Sequence, residues 1–359
     1  MERDAHIDVQ ASAPTPRHAA RVLKIQQGAQ GGLDDADSGY EGSDTSSITT
    51  TLRSSALNYT QVFVPPKNLN NGRRYQRLGT DAYAFPNDEQ EQERLDMLHH
   101  IFRLVQGGRL HTAPIDTPQR VLDIGTGTGL WALEFADEFP AAQVFAVDLS
   151  PIQPDMTAPN CTFIIDDLEQ EWDYPQSRKF HYIHQRSLSG SIGDWTRMYR
   201  QALTSLEPGG WIEIQEFEVW FYSQVPGGLP EDSAIVKWQK LVDEASLSFG
   251  RRLNYASRFE AHLEEAGFVG IQTQRIKTPI GAWPKDRRLR EIGAYLQVQM
   301  NEALEAVTLA YLTRALGWSE EEIHVLLADV RKEFNDRSRL LYTYCWFITG
   351  RKPEHVDNH

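Results

Sequence analysis

Three glycines and two aspartates stand close together near the middle of the chain, at spacings that suit ligand binding. Residues 120–129 read RVLDIGTGTG, with Asp123 just ahead of Gly125, Gly127 and Gly129 and with Thr126 and Thr128 between them. Glycine serves where backbone turns sharply or lies against a ligand with no Cβ in the way. The apolar run at 121–124 reads as a buried strand, and 130–139 carries apolar residues at helical spacing. Strand, glycine loop and helix in that order offer free N–H groups to a polar ligand. A dinucleotide pyrophosphate loop needs glycine at 130, where this chain has Leu130. Asp123 suits an ammonium group better than a pyrophosphate. Asp148 ends the next apolar run, 19 residues beyond Gly129. That is close to the offset of ~20 for a carboxylate that accepts hydrogen bonds from ribose hydroxyls.

A ribose joined to an amino acid, without phosphate, describes S-adenosylmethionine. The glycine loop, Asp148, FIIDDLEQEW at 163–172 and LEPGGWIEIQEF at 206–217 together resemble a class I S-adenosylmethionine-dependent methyltransferase. More narrowly, HQRSLSGSIGDW at 184–195 and PIGAWPKDRRLREIG at 279–293 are similar to the fungal LaeA-like family. That family includes regulators of secondary metabolism and tailoring enzymes of natural-product pathways. The resemblance spans roughly 81–353. It implies a Rossmann-like α/β fold: a seven-stranded, mostly parallel sheet with a helical lid inserted before the last strand. It also implies S-adenosylmethionine as cofactor. The expected cofactor residues are Asp123, Gly125, Thr126, Gly127, Gly129, Asp148 and Leu149, with Asp166, Asp167 and Leu168 after the third strand. For the adenine amino group the family pattern favours Asp167 with Leu168 over Asp166. Tyr83 is carried over as a further cofactor contact.

Methyl transfer from a sulfonium is an in-line displacement, so the protein mainly aligns the reactants and excludes water. The chain has no H-E-x-x-H and no C-x-x-C, and no metal is expected. Candidates for a general base lie at the ends of strands four and five: His184 and Glu216. Each weighs against a structural role, a packed histidine or a buried acid. Arg186 is expected either to orient an anionic substrate or to pair with an acid of the fold. Trp283, with Trp195 and Trp220, either lines a substrate pocket or packs in the core.

The elements that position these residues follow from periodicity. Residues 88–105 form one apolar stripe at helical spacing and are expected to cover the cofactor site. His99 and His100 are adjacent there, so they do not share a face as metal ligands would. Strands are expected at 121–124, 143–147, 162–165, 180–184, 211–217, 268–277 and 340–349. Helices are expected at 130–139, 194–206 with Asp194 as N-cap, 231–249 and 255–266, the last closed by Gly267. The stretch 286–335 is almost wholly helical, with a break at Gly317–Ser319, and forms the lid together with 218–251.

Residues 1–75 are poor in large apolar side chains, and 28–55 is rich in Gly, Asp, Ser and Thr. Such a stretch cannot bury enough surface to offset its ordering entropy and reads as a solvated tail or an interaction arm. The methyltransferase domain is expected at 76–353, with a short tail at 354–359. Lys and Arg number 36 against 50 Asp and Glu, a net charge of −14. That balance argues against a general role on nucleic acid or a membrane surface. The chain has no transmembrane run and no secretory signal, and its only cysteines are Cys161 and Cys345, so a cytoplasmic or nuclear place is expected. Two functions fit the resemblance: O- or N-methylation of a small molecule in fungal secondary metabolism, or a nuclear regulator acting with protein partners through the tail.

Overall fold

The computed structural model describes residues 69–70, 73–75, 84–155, 157–174 and 178–354. Most of the expected N-terminal tail, Tyr83 and residues 355–359 lie outside the described residues. The last part of that tail is built into the fold. Strands β1 (Leu69–Asn70) and β2 (Arg73–Arg74) pair antiparallel. Arg73 and Tyr75 are buried, and Arg73 forms a forked pair with Asp88 at 2.6 and 2.9 Å.

Helix α1 (Glu89–Val105) follows, its first turn closed by Asp88, which accepts the Glu91 N–H at 3.0 Å. The alternating core then runs β3 (Arg120–Ile124), α2 (Leu130–Glu138), β4 (Gln143–Asp148), β5 (Cys161–Ile165), β6 (Phe180–Arg186), α3 (Trp195–Ser205) and β7 (Leu206–Phe217). Asp194 caps α3 as expected, accepting the Arg197 N–H. Beyond it lie β8 (Tyr222–Ser223), α4 (Ala234–Ser248), α5 (Phe259–Ala266) and β9 (Val269–Pro279). Three helices, α6 (Arg287–Ala306), α7 (Leu309–Leu316) and α8 (Glu320–Phe334), separate β9 from the last strand, β10 (Leu341–Arg351).

The strand order is β5-β4-β3-β6-β7-β10, with β9 along the outer side of β10 and β8 continuing the inner side beyond β7. The pairs from β5 to β7 are parallel, and β10 is antiparallel to all its neighbours. The expected seven strands are therefore joined by an eighth, two-residue strand. Chain direction across the sheet reverses between β3 and β6, where Asp123 and His184 are register partners. Ligands bind outside the carboxyl ends of strands at such a reversal.

Three apolar clusters hold the fold. One fills the space between the sheet and α3 with α5, through Leu122, Ile183, Tyr199 and Phe259. A second packs α2 on the opposite face, through Trp131, Phe135 and Tyr182. The third joins α1, α4 and the inserted helices, through Phe102, Trp238, Tyr311 and Phe334. The helical insertion thus has its own buried core. It breaks at Val307–Thr308 as well as at Gly317, which ends α7 with φ +68. Among the described residues no helix is long and apolar enough to cross a membrane.

Candidate active site

The glycine loop joins β3 to α2, and its three glycines meet different demands. All have positive φ: +72 at Gly125, +58 at Gly127 and +84 at Gly129. A Cβ at Gly125 would stand 2.2 Å from Leu188, and one at Gly129 would stand 2.4 Å from the Phe163 ring. Those two positions are glycine for packing. At Gly127 the nearest atom is Leu95 Cδ1 at 3.6 Å, and the open side faces a cavity. The Gly125 and Thr126 N–H groups donate to the Val147 carbonyl at 2.8 and 3.0 Å, tying the loop to β4. Asp148, at the end of β4, accepts the Gly127 N–H at 2.7 Å and the Ser150 N–H at 2.8 Å, one on each oxygen. Burial pushes its carboxyl up to about 6, against the pull of the Ser150, Gly127 and Leu149 N–H groups.

Two adjoining cavities open here, and Gly125, Asp148, Leu188 and Ser191 line both. The first runs from the glycine loop under α1, where Leu95, Leu98 and His99 form its roof and Asp123, Trp131, His184 and Arg186 its floor. The second lies beyond Asp148 and is lined by Leu149, Asp166, Asp167, Leu168 and Arg251. The cleft is therefore elongated, with the Asp148 carboxylate at its waist.

At the floor of the first cavity Asp123 holds two neighbours. One oxygen accepts the His184 Nδ1–H at 2.7 Å, and the other accepts the Thr126 hydroxyl at 2.6 Å. The imidazole lies flat on Trp131, with ring centroids 3.6 Å apart and planes 3° from parallel. It is fully buried, and its Nε2 has no partner among the described residues. Burial lowers its pKa, with Asp123 pulling the other way, so the ring is neutral at physiological pH.

Above His184 on the same strand, Arg186 crosses the cavity beneath α1. It donates to Gln215 Oε1 through Nε at 2.9 Å and Nη2 at 2.6 Å, and through Nη1 to His99 Nδ1 at 2.9 Å. Its guanidinium lies 4.7 Å from the Phe102 ring centre. His99 in turn contacts Glu134 at 3.1 Å, and Arg103 shares that carboxylate.

At the far end of the cleft the two acids differ. Asp167 is taken up by its own turn, accepting the Glu169 N–H at 3.0 Å and the Gln170 side chain at 3.1 Å. Asp166 accepts the Asp167 N–H on one oxygen at 2.8 Å, and burial raises its pKa.

Most expected residues come together in this cleft: Asp123, Gly125, Thr126, Gly127, Asp148, Leu149, Asp166, Asp167, Leu168, His184 and Arg186 line it. Three do not. Gly129 lies against Phe163 as the N-cap of α2. Glu216, expected as a base, faces away from Arg186 and Gln215, and lines neither cavity. It accepts the Ser189 N–H at 3.0 Å, and burial pushes its carboxyl to about 7. Trp283, expected at a substrate pocket, donates its indole N–H to the Leu341 carbonyl at 2.9 Å instead. Trp195 is stacked in the core with Tyr199 and Tyr255. No residue of 286–335 lines either cavity. The inserted helices touch the cleft from behind, where the Tyr311 hydroxyl donates to Gly190 at 3.3 Å.

The sequence reading missed residues of α1. Glu91 and Arg94 are buried at the cavity mouth as a forked pair, at 2.5 and 2.9 Å. The signal lay in the spacing, because 91, 94 and 98 continue the apolar stripe of the helix. Ser187 was also missed. It is one of two described non-glycine residues with positive φ, at +53, and stands where β6 turns into the cleft.

Comparison with known proteins agrees with this geometry. Residues 97–273 match the methyltransferase domain family. The chain is 42% identical to methyltransferase pytC of Aspergillus terreus over 292 residues, 81% of this chain and 87% of that one. It is 34% identical to the secondary metabolism regulator LAE1 of Cochliobolus heterostrophus, over 81% of this chain and 97% of that one. It is 33% identical to protein-methionine methyltransferase laeA of Emericella nidulans, over 79% and 76%. Glycine loop, waist carboxylate and relatives agree, and the chain belongs to the LaeA-like family of S-adenosylmethionine-dependent methyltransferases.

Proposed function

We propose that this protein transfers a methyl group from S-adenosylmethionine to an oxygen or nitrogen of a small molecule in fungal secondary metabolism. The observation that carries the reading is the two-part cleft with Asp148 at its waist. A ligand with an amino acid at one end, a ribose in the middle and a base at the other matches that sequence of groups. The cofactor supplies the activated methyl and its own leaving group when bound. The chain does the rest. Asp123 faces the ammonium group with its two oxygens held by His184 and Thr126. Beside its backbone N–H partners, Asp148 keeps acceptor capacity for a ribose hydroxyl. Asp166, which uses only one oxygen within its turn, offers the other to the adenine amino group. The backbone at Gly127 lets the ligand approach without a Cβ in the way.

His184 is a positioning residue in this reading, holding Asp123 in place. Its Nδ1 is committed to Asp123, and it lies fully buried on Trp131. Leu95, Leu98 and Phe85 wall the first cavity and exclude water from the transfer. An acceptor that enters beneath α1 is therefore a small one.

A second reading, methylation of a protein within a regulatory complex, draws on the relatives named as regulators and as a protein-methionine methyltransferase. One experiment separates the two. The purified chain is incubated with methyl-deuterated S-adenosylmethionine and a fungal cell extract, and label is followed by mass spectrometry. Label in the small-molecule fraction supports the first reading. Label confined to protein supports the second.

A further inference from the structure

Resting on the reading above, we propose that Arg186 is the receptor for a carboxylate of the bound molecule, either the α-carboxylate of the cofactor or an acid group of the acceptor. Arg186 lines the first cavity. Its hydrogen-bond partners, Gln215 and His99, are both neutral, since burial also lowers the His99 pKa. These contacts use three of the five guanidinium N–H groups and leave one on each terminal nitrogen, the pair that a carboxylate takes.

The surrounding acids are committed elsewhere. Asp123 holds His184 and Thr126. Glu213 accepts the N–H groups of Thr112 and Ala113, the Tyr182 hydroxyl and the Gln215 amide. Glu134 contacts His99 and Arg103. Arg94, the other guanidinium at this cavity, already has the Glu91 carboxylate in forked contact. Burial lowers the Arg186 pKa to about 10, with Asp123 and Glu213 opposing, so the group remains a cation at neutral pH. A half-buried cation without a contacting anion is disfavoured, and an incoming carboxylate offsets that. Gln215 and the Phe102 face fix the plane of the fork in advance.

The test uses the full chain with R186Q and R186K, both checked for folding by thermal melting. Each is titrated with S-adenosylhomocysteine and with methylthioadenosine, which lacks the amino-acid end. Each is also saturated with S-adenosylhomocysteine and titrated with benzoate. If the cofactor carboxylate is the ligand, R186Q loses at least tenfold in affinity for S-adenosylhomocysteine and none for methylthioadenosine. R186K, which keeps the charge but not the fork, falls between. If an acidic acceptor is the ligand, R186Q binds S-adenosylhomocysteine as wild type does but loses the benzoate binding of the loaded protein. Any other pattern in wild-type protein that binds S-adenosylhomocysteine overturns the proposal. Failure of wild type to bind S-adenosylhomocysteine at all overturns the proposed function instead.

Discussion

Alanine at Gly127 and alanine at Gly129 should fail in different ways. Both residues have left-handed backbone, which costs an L-residue about 1–2 kcal/mol. At Gly129 the new methyl would stand 2.4 Å from Phe163 Cζ and 2.6 Å from Cε1. Forcing that ring aside adds about 1–3 kcal/mol, a total of roughly 2–5 kcal/mol. At Gly127 the nearest atom is 3.6 Å away, so only the backbone term applies. For a domain of this size each kcal/mol moves the melting temperature by about 2–4 °C. Gly127→Ala should therefore melt only a few degrees low, and Gly129→Ala clearly lower. Binding should sort the other way, per unit of stability lost. The Gly127 methyl projects where a ligand would lie, and S-adenosylhomocysteine affinity should fall at least tenfold, a cost of about 1.4 kcal/mol or more. Differential scanning fluorimetry and calorimetric titration read the two quantities. A folded Gly127→Ala that binds S-adenosylhomocysteine as wild type does would refute the reading of Gly127 as a ligand cradle.

Other substitutions and pH changes follow from the same contacts. Asp148 is raised to about 6 by burial, and the ribose contacts proposed for it need the carboxylate, so affinity for S-adenosylhomocysteine should fall as pH drops through about 6. Asp148→Asn should bind weakly at every pH and lose that dependence. Glu216, raised to about 7, favours the fold in its protonated form. Its contribution is complete below the ordinary value of 4.5 and is lost as pH rises towards 7. Glu216→Gln keeps an acceptor for Ser189 and should be about 1–3 kcal/mol more stable than wild type at pH 8, by chemical denaturation, and equal to it at pH 4. Breaking the Glu91–Arg94 pair by Glu91→Ala leaves a buried guanidinium and should cost about 3–5 kcal/mol, seen in the same assay.

The sheet was largely legible because its strands are buried on both faces and read as short apolar runs. The cap at Asp194 was visible in composition, as was the stop at Gly267. Strand β8 was not, since two residues carry no periodicity. The break in the insertion at Val307–Thr308 was missed because no glycine or proline marks it. At the site, the glycine loop and Asp148 were legible because a strand–loop–helix unit imposes a local spacing. Arg186 was found but its setting was not: His99 and Gln215 come from elements far away in the chain. The choice of Glu216 shows the limit of reading strand ends without orientation. Adjacent strand residues point to opposite faces, so only Gln215 can share the cleft side with Arg186. Trp283 was drawn towards the cleft by the expectation of a lid, whereas the roof comes from α1.

The most direct test of the account is calorimetric titration of the full chain with S-adenosylmethionine and S-adenosylhomocysteine, beside Asp123→Ala. The account predicts saturable binding of both by wild type and its loss in the variant, which removes the carboxylate proposed to face the ammonium group. Absence of binding by folded wild type, or undiminished binding by the variant, would contradict it.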